Sequence, residues 1–355
     1  MRLPLRPMLL VGVCLIGGGV YFALREPFRG AWVEYWHGGS QRIGHLGLAQ
    51  PDFNVQGVAE GHTLIGTVNG GEPAELTIAR GAGGFRRLGG EGHFNFEIPI
   101  SDFRPGPNEI QLEALGTSAT ATARLTVEYV PDGGTPSPFE VLWASLDHPQ
   151  DAGQVVDGEW ELTDRGLRSR VPAYDRLFLL GDMSWRDYEV RTQVTIHGVA
   201  KDTGAHSGAP GVGFIMRFAG HVVDPPRFPE AQPKWGFQPF GAMLWLRFID
   251  RGAPVRQFYR GDRNESEDHA ALAGFVPGET YELKATCETD PEDPDRTRYT
   301  LTVWESGASE PGQPDFTVLQ ESAEARKDGG VALVVHHADA TFGDLVMRKL
   351  PAPPR

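Results

Sequence analysis

Cysteine is nearly missing from this chain: Cys14 and Cys287 are the only two in 355 residues. Cys14 lies inside an N-terminal apolar stretch. The remainder is therefore read with a single cysteine and no internal disulfide. A zinc site of the CxxC type is excluded by the count alone. Positive charge is also scarce, with 33 Lys and Arg against 47 Asp and Glu, a formal net charge of −14. Such a surface repels phosphate backbones, which argues against nucleic acid as a partner. Helical periodicity is lacking beyond the N-terminal stretch. No serine stands in a nucleophile-elbow motif. The glycine-rich segments 81–84 and 89–92 lack the Lys-Ser/Thr and helix of a phosphate loop. The acidic stretch 288–295 lacks EF-hand spacing and reads as an exposed hairpin loop.

Glycine and proline are plentiful, at 45 and 28. Turn-rich β proteins use both, and long helices tolerate neither. An all-β fold follows, with room in the length for two domains and an anchor.

Arg2 and Arg6 precede an apolar run over residues 8–24. That run is near the lower limit of a membrane span, roughly 17–25 residues. Basic residues before an apolar core also describe an export signal. No small-x-small cleavage site closes the run, so residues 1–24 read as an uncleaved signal anchor or transmembrane helix. The protein is then expected to be membrane-anchored and periplasmic or cell-surface. Residues 25–50 form a juxtamembrane segment. Its Trp32, Tyr35 and Trp36 suit either a headgroup region or packing on the first domain.

Residues 51–130 break into short strands. Phe94, Phe96 and Ile98 alternate with His93, Asn95 and Glu97, the pattern of a half-buried strand. A turn at 103–108 leads into the alternating stretch 109–114. Turn signals at intervals of roughly 8–12 residues indicate a sandwich. The strand Phe94-Asn95-Phe96-Glu97-Ile98-Pro99, followed by the turn at Gly106 and Asn108 and a strand ending in Ala114, resembles bacterial Ig-like domains of surface proteins. The resemblance implies a spacer or adhesion module. Residues 131–138, rich in Pro and Gly, read as a linker with no core contribution.

Residues 139–350 are again strand-rich, with a short tail at 351–355. The strands number roughly ten and suit a jelly roll of two large antiparallel sheets. Cys287 alternates with Tyr281, Leu283 and Ala285 and reads as a core residue. Glu265-Ser266-Glu267-Asp268 reads as a solvated loop. His336 and His337 are neighbours on a strand and should point to opposite faces, with Asp339 within reach of His337.

The motifs Gly158-Glu159-Trp160, Gly166-Leu167, Trp185-Arg186-Asp187-Tyr188-Glu189-Val190, Gly213-Phe214-Ile215-Met216-Arg217 and Thr341-Phe342-Gly343-Asp344-Leu345-Val346 resemble the concanavalin A-like lectin and glucanase superfamily. Among its modules, the laminin-G-like and 3-keto-disaccharide hydrolase-like ones are nearest. The resemblance implies a carbohydrate ligand. It also implies a structural calcium ion, with Asp344 on the final strand and Asp147 near the first as the candidate pair, since carboxylates are hard-oxygen ligands. The paired carboxylates of superfamily glucanases are absent: no strand carries Glu-x-Asp-x-x-Glu or Glu-x-Asp-x-Glu.

Alternation then assigns faces. Tyr188, Val190, Val194 and Ile196 point to the core, as do Val212, Phe214, Met216 and Phe218, Leu244, Leu246 and Phe248, and Leu333 and Val335. Placed on one sheet, Arg191, Arg217, Trp245, Arg247 and His336 would line one outward groove. Aromatic rings pack on sugar C–H faces while Arg and His bind hydroxyls or carboxylates. Three arginines would favour an acidic glycan. An outward Trp245 would contribute little to stability. The reading is a membrane-tethered, extracytoplasmic glycan-binding protein. The alternatives are a glycoside-processing enzyme of the 3-keto-disaccharide hydrolase-like type and a structural envelope protein.

Overall fold

The computed structural model describes residues 30–80, 87–201, 203, 208–221, 233–234, 239–249, 252–321 and 325–351. They form β-strands joined by loops and short 3-10 turns. The anchor run at 8–24 and Cys14 lie outside the described residues. Among those described, no helix is long and apolar enough to cross a membrane.

The first sandwich contains β1 (Trp32–Tyr35), β2 (Ser40–Ile43), β3 (Asp52–Glu60), β4 (Thr63–Val68), β5 (Ala74–Leu76), β6 (His93–Pro99), β7 (Gly106–Leu115) and β8 (Thr120–Tyr129). A three-stranded sheet, β1-β3-β6, faces a five-stranded sheet, β2-β8-β7-β4-β5. Phe53, Val55, Leu64, Phe94, Phe96, Ile98, Ile110 and Leu112 fill the space between them. The stretch read as juxtamembrane thus supplies β1, paired to β3, and β2, paired in parallel to β8. Its Val33 and Tyr35 pack on this core.

The second sandwich contains β9 (Phe139–Val141), β10 (Gln154–Asp157), β11 (Trp160–Thr163), β12 (Gly166–Ser169), β13 (Arg176–Leu180), β14 (Tyr188–Val199), β15 (Gly211–Phe218) and β16 (Ala242–Arg247). It continues with β17 (Val255–Arg260), β18 (Glu265–Ala271), β19 (Thr280–Thr289), β20 (Arg296–Glu305), β21 (Phe316–Glu321), β22 (Gly330–His336) and β23 (Ala338–Lys349). One sheet has seven strands, β10-β13-β22-β15-β16-β17-β18. The other has eight, β11-β12-β23-β14-β19-β20-β21, with β9 alongside β23. The alternate residues expected inward, Phe218 excepted, form the core, among them Tyr188, Val190, Phe214, Leu244, Leu333 and Cys287. The acidic run Glu265 to Asp268 is not a loop but part of β18, the edge strand of the seven-stranded sheet. Charged side chains on an edge deter further pairing.

Much of the outer face of the seven-stranded sheet is covered, away from the exposed edge strand β18. A second apolar layer there includes Leu177, Leu179, Ile215, Phe240, Met243, Trp245 and Val334, together with Ala49 from the first sandwich's side. The first sandwich docks at the β10 and β13 end of this face. This explains why β6 is buried on both sides. Its apolar residues fill their own core, while Asn95 and Glu97 are 1% and 2% exposed. Asn95 Nδ2 donates to the Val156 carbonyl at 3.0 Å, and Asn54 Nδ2 donates to Asn95 Oδ1 at 2.9 Å. The expected half-buried strand is a fully buried one, and the expected spacer is a docked domain. The linker contributes too: Thr135 is buried and donates to the Leu46 carbonyl.

Candidate binding site

Three of the five residues expected in one groove come together on the outer face of the seven-stranded sheet. Register places Trp245 beside Gly213 and Gln257, and Arg247 beside Gly211, which in turn pairs with His336. The Arg247 guanidinium lies 4.3 Å from the Trp245 ring centroid. The Trp245 and His336 rings meet edge to face at 6.0 Å. Trp245 Nε1 donates to Gln257 Oε1 at 2.8 Å, and Gln257 Nε2 donates to Asp268 Oδ1 at 2.6 Å. Glycines on β15 make room for this ring. A Cβ at Gly211 would sit 2.5 Å from Trp245 Cε3, and one at Gly213 would sit 2.6 Å from Trp245 Cα.

The other two lie elsewhere. Arg191 is on β14, whose hydrogen-bonded neighbours are β19 and β23 of the opposite sheet. It pairs with Glu282 at 3.2 Å and Glu310 at 3.5 Å, and its guanidinium lies over Trp304. Arg217 sits at a β-bulge, with φ of 54° and the register shifted between Met216 and Phe218. The bulge turns Arg217 inward and Phe218 into the outer apolar layer. Arg217 is 0% exposed and donates to Thr297 Oγ1 at 2.8 Å and to Asp187 Oδ1 at 3.3 Å. Trp245 points outward as expected but is 4% exposed, because the outer face is itself covered.

Sequence reasoning missed the loop Ala173–Arg176. Asp175 Oδ1 and His336 Nδ1 are 2.6 Å apart, both buried. Burial alone would raise the Asp175 carboxyl, but His336 and then Arg176 hold it below the usual carboxylate range. His336 and His337 do not point apart. β22 ends at His336, and His337 takes a left-handed φ of 49°, which breaks the strand alternation. Their rings meet at 4.5 Å, and the Tyr174 ring lies 4.9 Å from that of His336. Burial, followed by His336, lowers the His337 pKa to about 4, so His337 is neutral near pH 7. Asp339 is not its partner but chelates Arg168 at 2.7 and 2.8 Å. The signal that could have found this loop is Arg176-Leu177-Phe178-Leu179-Leu180, a short apolar run ending before Gly181, as a buried strand does.

The result is a patch with Tyr174, Arg247 and His337 half-buried at its rim and Trp245, Asp175 and His336 beneath. It offers an aromatic ring, a guanidinium and a neutral imidazole to a ligand, on a floor fixed by hydrogen bonds.

Of the expected calcium pair, Asp344 is engaged by the backbone just after β9. Asp344 Oδ1 accepts the Trp143 backbone N–H at 3.1 Å, and Trp143 Nε1 donates to the Gly343 carbonyl. The final strand does meet the region after the first strand there, through hydrogen bonds. Asp147 is exposed, four residues after Trp143. Among the described residues, no group of three or more His, Cys, Asp or Glu is arranged to hold a metal ion.

No family model and no curated protein matches this chain. Solved structures with a similar arrangement include the exoplasmic/lumenal domain of VIP36, bound to Ca2+ and Man3GlcNAc. It is 11% identical, with 56% of this chain and 84% of that one covered and a TM-score of 0.36. An alginate lyase Aly36B mutant with alginate tetrasaccharide is 12% identical, covering 62% and 99%, with a TM-score of 0.38. A human SPRY domain is 9% identical, covering 52% and 94%, with a TM-score of 0.26. Likenesses of this order carry no functional inference, so the function is read from the site's geometry.

Proposed function

We propose that this protein binds carbohydrate at the outer face of the seven-stranded sheet, around Tyr174, Arg247, His336 and His337. The observation that carries this reading is the layered site itself. A buried floor of Trp245, Gln257 and the Asp175–His336 pair fixes a rim of half-buried aromatic, cationic and imidazole groups. Sugar recognition uses that mixture, ring faces for C–H surfaces and a few fixed polar groups for hydroxyls. Of the three arginines expected to line the groove, Arg247 is at the site while Arg191 and Arg217 are not, so the case for an acidic glycan is weaker than the sequence suggested. A glycan array probed with the full chain tests the reading. Bound glycans should be lost, by at least tenfold in apparent affinity, on Arg247→Ala. An array with no bound glycan would end it.

The second reading, a glycoside-processing enzyme, is supported by one observation. A buried Asp orienting a His is the arrangement of a general base. Incubating array-positive glycans with the chain and analysing them by mass spectrometry separates the readings: intact glycan means binding alone.

The chain is exported and held at a membrane by residues 8–24. The support is the sequence pattern, basic residues before an apolar run without a cleavage site. Intact-mass analysis of membrane-extracted protein tests it; a mature N-terminus near Arg25 would remove the anchor.

A further inference from the structure

Two residues in this site hold backbone conformations that ordinary side chains avoid. Asp175 has a φ of 33° and His337 a φ of 49°. Such strain persists only where the surroundings over-determine it, and it clusters at functional sites. The two strained turns are tied together, since the His337 N–H donates to the Ala173 carbonyl at 2.8 Å. What holds the Ala173–Arg176 side of this pair comes from the other domain.

Arg87 belongs to the first sandwich and is 6% exposed. Its guanidinium donates to Glu97 of its own domain at 2.8 Å and to Asp157 of the second at 2.8 Å. Asp157 is in turn 2.6 Å from His221. The Arg87 carbonyl accepts Arg176 Nη2 at 3.0 Å, while Arg176 Nε donates to the Tyr174 carbonyl at 3.0 Å. Two residues on, a Cβ at Gly89 would stand 3.1 Å from Ala173 Cβ and 3.2 Å from Arg176 Nη1. The turn 87–89 therefore rests directly on the loop that carries Tyr174 and Asp175. Arg176 is buried and is clasped between the two domains.

We infer that the first sandwich is the wall that sets this site, with Arg87 as a positioning residue acting through Arg176 on Tyr174, Asp175 and His337. The docked domain is not a spacer but a part of the binding apparatus. This rests on the proposed location of the site, though not on its ligand being a glycan.

The test is a histidine NMR titration of the full chain, wild type against Arg87→Ala, with thermal melts as the folding control. His336, Asp175, Arg176 and Arg247 are the charged or titratable groups around His337. In the wild type His337 should titrate near pH 4. In Arg87→Ala, release of the Arg176 loop should raise that midpoint by at least one pH unit, towards the ordinary 6.5, and should broaden or shift the Tyr174 resonances. Arg87→Lys, which keeps the charge but not the forked contact with Glu97 and Asp157, should fall between the two. If Arg87→Ala fails to fold, Gly89→Ala serves instead: it loads the contact with Ala173 and Arg176 and leaves the buried ion pairs in place. A folded variant whose His337 midpoint and Tyr174 resonances match the wild type overturns the inference. A moved midpoint in a protein whose wild type binds no glycan upholds the positioning role and removes the glycan reading alone.

Discussion

At the scale of single residues, the site depends on the difference between pointing outward and being exposed. Strand alternation correctly puts Trp245, Arg247 and His336 on the face away from the sandwich core, because alternation is a local property of the chain. It does not reveal whether that face is covered. Trp245 is held at 4% exposure, with its indole N–H bonded to Gln257 and Arg247 over its ring. Trp245→Ala should therefore cost about 3–5 kcal/mol of stability, as for other buried aromatic truncations. Chemical denaturation measures it; a loss under about 1 kcal/mol would show that the outer apolar layer is not packed as described. The side of His337 was misjudged for a different reason. One left-handed residue ends the alternation, and nothing in the pair His336-His337 announces it.

At the scale of elements, most strands were legible, since apolar alternation with turns between is what a two-sheet sandwich requires. Sheet membership was not. Arg191 alternates as outward as Trp245 does, yet β14 bonds to β19 and β23 across the sandwich from β16. Which strands neighbour each other is fixed by contacts distant in sequence, and local pattern carries no record of them. The polar edge strand β18 was missed because it lacks a buried face to alternate. The bulge in β15 was equally hidden, and it brings a guanidinium inside the protein. Arg217 there meets Asp187, Thr289, Thr297 and the backbone carbonyl of Arg186, while its backbone N–H donates to Tyr188 Oη. Removing one partner of a buried charge leaves the rest unsatisfied, so Arg217→Ala should destabilise by about 3–5 kcal/mol. A melting temperature within a degree of wild type would mean that the bulge is tolerated empty.

At the scale of the whole molecule, two sandwiches share a polar interface. The sequence showed the polar face of β6 without a reason for it, and β3, its partner, carries a similar one. Asp52, Asn54, Asn95 and Glu97 look like ordinary solvent-facing residues until the second sandwich is in place. Neutral histidines are part of that interface. His37 Nε2 accepts the Trp160 backbone N–H at 3.2 Å, and burial, followed by His148, lowers its pKa to about 3. His93 packs on Trp36, and burial, followed by Arg176, lowers its pKa to about 4. Both folded values are below the ordinary 6.5, so between about pH 3 and 6.5 the unfolded chain binds more protons than the folded one. Stability from these groups is complete above 6.5 and is lost as pH falls through that window. Melting temperature should decline steadily from pH 6.5 to 4, and His37→Gln should flatten the decline. An unchanged slope in that variant would remove His37 from the interface account.

The central claim is the location of the ligand, and mapping it by NMR tests it most directly. An array-positive glycan is titrated into isotope-labelled full chain while the indole N–H signals of Trp245 and Trp304 and the imidazole signals of His336 and His337 are followed. Trp245 lies under the proposed site, and Trp304 lies beneath Arg191 on the opposite sheet. The account predicts saturable shifts at Trp245, His336 and His337 with Trp304 unmoved. Shifts confined to Trp304 would place the ligand on the eight-stranded sheet and contradict it.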